Sequence, residues 1–177
     1  DGGLLVMGRD GILWTVTPNE LVDVTSNETP FEPLSAKEIG EQMLAGLPQG
    51  FSVHTTPHYV IVYNTTPAYA KWCGSLFKRL YNAFTNYWSN KGLELAQPEF
   101  PLVAVVFADQ RGYANFARPE VGDAISSIIG YFSLQSNRMV MYDLTGTQAA
   151  EASNGQRGSA GQINRLLMQP DAERLVA

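Results

Sequence analysis

Residues 59–90, YVIVYNTTPAYAKWCGSLFKRLYNAFTNYWSN, decide the fold of this chain. The first five residues form a continuous apolar run, which is typical of a strand that is buried on both faces of a sheet. Thr66 then supplies a side-chain cap, and Pro67 a first-turn residue, for a helix. The stretch therefore predicts an interior strand that is followed directly by a long helix.

The predicted helix carries one apolar stripe along about six turns. Its members recur at helical spacing: Tyr69, Trp72, Cys73, Leu76, Phe77, Leu80, Tyr81, Phe84 and Trp88. Basic residues such as Lys71, Lys78 and Arg79 fall off the stripe. We interpret the stripe as the face that packs on a sheet, and an aromatic-lined ligand groove is the alternative.

A second apolar run, residues 102–108, follows the helix. Strand, helix and strand in this order predict a right-handed parallel crossover. Residues 109–117 read as a short helix, and residues 119–127 as a loop or a weak helix.

Further on, residues 131–134 and 138–142 flank a polar triplet, residues 135–137. This pattern predicts a β-hairpin, which adds an antiparallel edge to a sheet that begins as parallel. The next tract, residues 145–159, is rich in small and polar residues and reads as a surface loop, with a short helix around Ile163, Leu166 and Leu167 after it.

The N-terminal part reads as a small unit of its own. Residues 4–7 and 12–16 flank an Asp-Gly turn signal, and residues 21–24 are a candidate third strand. Ser35 and Glu38 form a capping box for a helix that ends before Pro48. We place a soft boundary near residue 50.

The predicted fold class is therefore α+β: a twisted mixed sheet with an antiparallel edge hairpin, backed by one long helix. A small N-terminal β-hairpin and helix, residues 1–50, precede this body, which covers residues 51–177.

Composition excludes several functional classes. The chain has 177 residues, 45% of them hydrophobic, with 12 basic and 17 acidic residues and a net charge of −5. That charge gives no electrostatic footprint for nucleic acid, and no apolar run is long enough for a membrane span. The single cysteine, Cys73, permits no intrachain disulfide, and its place on the apolar stripe predicts a buried thiol.

Candidate catalytic groups are sparse. His54 and His58 have the i,i+4 spacing of two metal ligands on a helix, but Pro57 and the β-rich surroundings argue against a helix there. Neither a Gly-x-Ser-x-Gly elbow nor a P-loop occurs. The carboxylates after residue 90 are scattered, so we expect them to be solvated or to cap helices.

The segment 130–146, GYFSLQSNRMVMYDLTG, is the strongest candidate for binding, because its hairpin is predicted to end the sheet with an open edge. An exposed edge strand can recruit an extended peptide through backbone hydrogen bonds. The alternative is structural: Met139 and Met141 pack on the core while Arg138 and Val140 face outward.

Several strings of the chain resemble a bacterial domain-of-unknown-function family, number 1570, whose full-length members are similar to gluzincin metallopeptidases. The strings are AYAKWCG at 68–74, PEFPLVAVVF at 98–107, the segment 130–146, and GSAGQINRLLMQPDAERLVA at 158–177. The resemblance covers roughly residues 51–177 and implies the upstream half of a zincin-like domain.

This resemblance implies a zinc peptidase whose His-Glu-x-x-His motif lies on the helix that begins at Pro170. In that motif two imidazoles bind zinc and the glutamate is the general base. The chain ends before such a motif, so the resemblance gives this chain no catalytic residue and no metal ligand, and implies zinc only for the full-length protein.

The resemblance further implies a cleft lined by the strand of residues 137–142 and an extracytoplasmic location. The substrate-holding residues it implies are Asn137, Arg138, Met139, Val140 and Met141. A non-catalytic domain that binds a peptide or an envelope partner through the same edge is the alternative. An incomplete C-terminal helix is expected to leave apolar sheet surface and to favour self-association.

Overall fold

A computed structural model describes residues 3–145 of the chain. The predicted helices around residue 163 and from Pro170, and almost all of the predicted loop 145–159, lie outside the described residues. The elements, in chain order, are β1 (Leu4–Met7), β2 (Leu13–Val16), α1 (Ala36–Gly46), β3 (Ser52–Thr55), β4 (Tyr59–Tyr63), α2 (Pro67–Asn90), β5 (Leu102–Phe107), α3 (Gln110–Val121), a 3₁₀ helix (Gly122–Ser126), β6 (Gly130–Ser133) and β7 (Arg138–Tyr142).

Five strands form one mixed sheet in the order β3-β4-β5-β7-β6. The three central strands are parallel to one another, and an antiparallel strand closes each end. β1 and β2 form a separate antiparallel hairpin. The α+β fold class, the mixed sheet, the long helix and the N-terminal hairpin are thus confirmed.

The central strands are buried on both faces, as their apolar runs predict. One face of the sheet, with Val62 and Val105, packs against α1 and α3. The other face, with Ile61 and Ala104, packs against the first half of α2. Helices cover both faces of these parallel strands. Their residues are therefore apolar on both faces, whereas a sheet with one exposed face shows alternating apolar and polar residues.

Local capping sets the helix starts. The Ser35 hydroxyl accepts from the backbone of Glu38, whose carboxylate accepts from the backbone of Ser35, so the predicted capping box is confirmed. The Thr66 hydroxyl caps α2 by accepting from Tyr69 N–H at 3.2 Å. Asp109 caps α3, which runs through Pro119 to Val121 instead of ending near residue 117.

Two N-terminal predictions have different outcomes. Residues 21–24 form no strand, because in the structure they make no ladder with the hairpin and stay exposed. α1 packs on β3 and β4 and places Ile39 and Met43 in the main core. The boundary near residue 50 stays a prediction from composition.

The apolar stripe of α2 has two different environments. Tyr69, Cys73 and Phe77 in its first half are buried against the sheet. Leu80, Phe84 and Trp88 in its second half are partly exposed, because the helix continues beyond the end of the strands. The interpretation that the whole stripe packs on the sheet is therefore confirmed for the first half and wrong for the second.

Gly74 permits the close approach of α2 to the sheet. A Cβ at this position would lie 3.1 Å from Thr56 Cγ2 and 3.3 Å from both His54 Nε2 and Ile61 Cδ1. We expect Gly74→Leu to lower the free energy of unfolding by about 1–3 kcal/mol, since the added side chain must displace these atoms. Urea denaturation measures the change.

Gly46→Ala, also on a helix, is the matched control, because a Cβ at Gly46 meets nothing within 4 Å. It should leave stability unchanged or raise it by up to about 1 kcal/mol. Equal stability of Gly74→Leu and the parent chain would contradict the packing described here.

Candidate functional site

The strand β7, predicted as the open edge, is an interior strand. It pairs in parallel with β5 on one side and antiparallel with β6 on the other. Its backbone N–H and C=O groups are therefore directed to two neighbouring strands. The prediction that residues 137–142 form the edge strand is wrong, and a peptide cannot add to the sheet along β7.

The five residues predicted to hold a substrate lie in different environments. Asn137 is the turn residue before β7, with a φ of 54° that asparagine tolerates better than most residues. Met139 and Met141 are partly buried on the α2 face. Val140 is buried in the core on the opposite face, below α3, so the prediction that it faces outward is also wrong.

Arg138 lies at the start of β7 and is partly buried. Burial lowers the pKa of its guanidinium, which the nearby Asp10 carboxylate raises in part. Its Nε is buried and has no hydrogen-bond partner. Asp10 itself accepts from Gln42 Nε2 at 3.0 Å, so the side chain of Arg138 faces a contact between the N-terminal hairpin and α1.

The open edge belongs to β6. One side of this strand pairs with β7, and no strand of the described residues pairs with its outer side. Phe132, opposite Met139 in the register, is 52% exposed. Ile129 and Leu134 flank the strand and are exposed as well. We call residues 129–134 the β6 edge.

The two faces of the β6 edge differ in chemistry. Tyr131 faces the core below α3, and its hydroxyl donates to Glu120 Oε2 at 2.9 Å. Burial, and then the bond to Glu120, raise the pKa of this phenol, so it stays a donor at neutral pH. Phe132 lies on the other face beside Met139 and stays exposed, because α2 packs chiefly on β3 and β4 at the far side of that face.

Gly130 fixes the close pairing of β6 with β7. A Cβ on this residue would lie 3.0 Å from Met141 Cβ and 3.0 Å from Val140 O. A side chain here would require β6 and β7 to shift by a few tenths of an ångström, so the glycine favours their close pairing.

A buried carboxylate marks the carboxyl end of β7. Asp143 is 2% exposed, and its Oδ2 accepts from the Thr65 hydroxyl while its Oδ1 accepts from Thr145 N–H at 2.7 Å. Its own N–H donates to Phe107 O at 2.7 Å. These bonds join the ends of three strands. Asp143 is buried and not solvated, and its bond to Thr145 N–H, at the start of the helical residues 144–145, is the capping role that the sequence also allowed.

The two histidines lie in different environments. His54 is in β3, at the opposite edge of the sheet from β6, and His58 is in the following loop, stacked on Tyr81 with ring centroids 4.1 Å apart. Within residues 3–145 no group of three or more His, Cys, Asp or Glu side chains is placed to hold a metal ion.

Comparison with family models, with curated proteins and with solved structures found no match to this chain. The resemblance to a metallopeptidase-like family thus stays a hypothesis from the sequence strings quoted above. None of the helices in the described part of the chain has both the length and the apolar character needed to cross a membrane.

Cys73 is buried, as predicted. Burial first, and then the Asp143 carboxylate, raise the pKa of the thiol from its ordinary value of 9.0 to about 12. Above pH 9 the unfolded chain loses this proton and the folded chain keeps it, so stability falls with rising pH until about pH 12. The expected slope is about 1.4 kcal/mol per pH unit.

Denaturant titrations of the parent and of Cys73→Ala between about pH 8 and pH 10.5 test this linkage. The variant is less stable overall, but it lacks the part of the decline in stability that comes from the Cys73 thiol. Parallel pH profiles for the two proteins would contradict a buried, protonated thiol.

Proposed function

We propose that this chain is the scaffold and the peptide-holding edge of a zinc-metallopeptidase-like protein, and that it is not catalytic by itself. The observation that carries the proposal is the outer side of β6, which pairs with no strand within residues 3–145 and is flanked by exposed apolar side chains. We assign the peptide-holding edge to β6 and not to β7, because β7 is paired on both sides.

Strand addition explains how such an edge binds. The outward N–H and C=O groups of β6 pair with no described strand. An extended segment can pair with them through its own backbone, which supplies affinity without regard to sequence. Alternate side chains of that segment then lie on the two faces of the sheet. Those on the face of Phe132 meet an apolar surface that includes Met139, so apolar residues are favoured there.

The zinc implied by the resemblance does not fit the residues of this chain. Its two histidines lie at the β3 end of the sheet, far along the strand order from β6. Its sequence contains no His-Glu-x-x-His motif.

The second candidate is a non-catalytic domain that binds a segment of a partner protein through the same edge. The composition of the edge favours it, because residues 129–134 contain no ionisable side chain except Tyr131. Zinc that is retained through dialysis, and cleavage of a bound peptide, by the full-length protein would distinguish a peptidase from this alternative.

The peptide-binding proposal is tested with a fluorescein-labelled peptide of alternating leucine and threonine residues, titrated with the 177-residue chain. We expect saturable binding by fluorescence anisotropy. Phe132→Asp should raise Kd by about tenfold or more, because it removes an apolar contact and adds a charge beside the peptide. Two further versions of the peptide carry N-methyl groups on alternate backbone amides, one on the odd and one on the even residues. Only the version whose methyl groups block the amides that pair with β6 should lose affinity.

Leu5→Asp is the matched control, since Leu5 is also an exposed apolar residue on a strand, in the separate β1-β2 hairpin. It should leave Kd unchanged. Binding that is weakened by Leu5→Asp but not by Phe132→Asp would place the peptide on the wrong sheet, and would refute the proposal.

A further inference from the structure

The long helix extends well beyond the sheet that it covers. α2 has 24 residues and β4 has 5. At about 1.5 Å per helical residue and about 3.3 Å per strand residue, the helix is about twice as long as the strand. Its C-terminal part therefore extends past the ends of the strands, with only the first residues of β4 and β5, Tyr59 and Leu102, beside its start.

The projecting part keeps the apolar face of the buried part. Leu80, Phe84 and Tyr87 are 60%, 57% and 56% exposed, and Trp88 is partly exposed. These four positions have the i, i+4, i+7, i+8 spacing of a single helix face. Lys78 lies on the opposite side of the helix. Such a face on a helix normally packs against another element, and here the described residues cover only part of it.

A groove lies beside this face. Tyr59 and Leu102 form its floor, residues 95–98 form one wall, and Leu80, Tyr81 and Phe84 form the other. Its volume is about 450 Å³. The Tyr81 hydroxyl donates to Gln97 Oε1 at 2.9 Å, which ties the outer wall to the helix.

A ridge of aromatic side chains stands next to the groove, one to two turns further along α2. Tyr87 and Trp88 contact each other edge to face with ring centroids 5.3 Å apart, and Trp88 also contacts Phe84 at 6.3 Å. The chain thus presents a groove and a ridge side by side on one helix. A surface of this kind can be complementary to itself under a two-fold rotation.

We propose that a second copy of this chain docks on this surface, with α2 packed antiparallel to α2 about a two-fold axis near Phe84. In this arrangement Trp88 of one copy lies opposite Leu80 of the other, and Tyr87 lies opposite Tyr81. Each ridge enters the groove of the other copy. We call residues 80–88 of α2 and the groove beside them the α2 overhang.

The area of the α2 overhang fits this occupant. Aromatic side chains offer about 150–250 Å² each, so the exposed parts of its apolar side chains, with Leu93 and Leu95, amount to roughly 500 Å² per copy. A standard interface buries about 800 Å² per partner, including its polar rim. The apolar centre is thus about as large as the core of such an interface.

Sedimentation equilibrium of the 177-residue chain over a wide concentration range tests the proposal. We expect a dimer of twice the chain mass of 19.4 kDa at micromolar concentrations. Phe84→Glu should raise the dimer dissociation constant by at least about 100-fold, because the two-fold axis places both copies of the charge at the centre of the interface.

Asn82→Glu is the matched control, because it adds the same charge to the same helix on the opposite side, and it should leave the constant unchanged. Glutamate is a good helix former, so neither change breaks the helix, and circular dichroism verifies this. If Phe84→Glu fails to fold, Tyr87→Glu takes its place, since Tyr87 is similarly exposed.

Three outcomes would overturn the proposal. One is a monomer at the highest concentration measured. Another is a dimer that Phe84→Glu and Tyr87→Glu leave intact. The third is a dimer that Phe132→Asp dissociates while Phe84→Glu does not, which would place self-association at the β6 edge. The proposal is independent of peptide binding, so loss of one property leaves the other in place.

Discussion

The burial of β5 on both faces is the constraint on which the rest of the structure depends. β5 pairs in parallel with β4 on one side and with β7 on the other, and its residues Val103 to Phe107 are almost fully removed from solvent. Such a strand needs helices on both of its faces. α2 therefore packs on one face and α1 with α3 on the other, and the antiparallel strands β3 and β6 are left at the ends. Both candidate surfaces follow from this arrangement.

The two candidate surfaces, the β6 edge and the α2 overhang, arise where the sheet and α2 differ in width and in length. The sheet is wider than α2 covers, which leaves Phe132 and part of Met139 without a described helix above them. The helix is longer than the sheet, so only the first residues of β4 and β5 reach the α2 overhang and most of its apolar side chains stay exposed. Each mismatch exposes apolar side chains that are more typical of a binding surface than of a monomer's exterior.

Local sequence signals predicted the elements but not their order in the sheet. The capping box at Ser35, the cap at Thr66 and the apolar runs of β4 and β5 gave the correct helices and strands, because each depends on neighbouring residues alone. The position of β7 depends on which strand it joins across the sheet. Its continuous run from Met139 to Tyr142 is the signal of an interior strand, and β6, short and headed by a glycine, has the signal of an edge.

Two other features could not be predicted from the spacing of apolar residues in the sequence. The stripe of α2 has the same spacing in its buried and its exposed half, so no local pattern indicates where the sheet ends. Asp143 resembles any other carboxylate in the sequence. Its burial results from the meeting of three strand ends, which brings Thr65 and Thr145 to its two oxygens. Only the assembled sheet shows either feature.

Among the strands within residues 3–145, β6 and not β7 forms the free edge of the sheet. Amide hydrogen exchange, measured residue by residue by NMR, tests it most directly. We predict slow exchange at Met139, Val140 and Met141 alike, because successive amides of β7 point to β5 and to β6 in turn. In β6, one amide of the neighbouring pair Tyr131 and Phe132 should exchange rapidly, since it points to the unpaired side. Slow exchange at both of these residues, with rapid exchange at alternate residues of β7, would contradict the account.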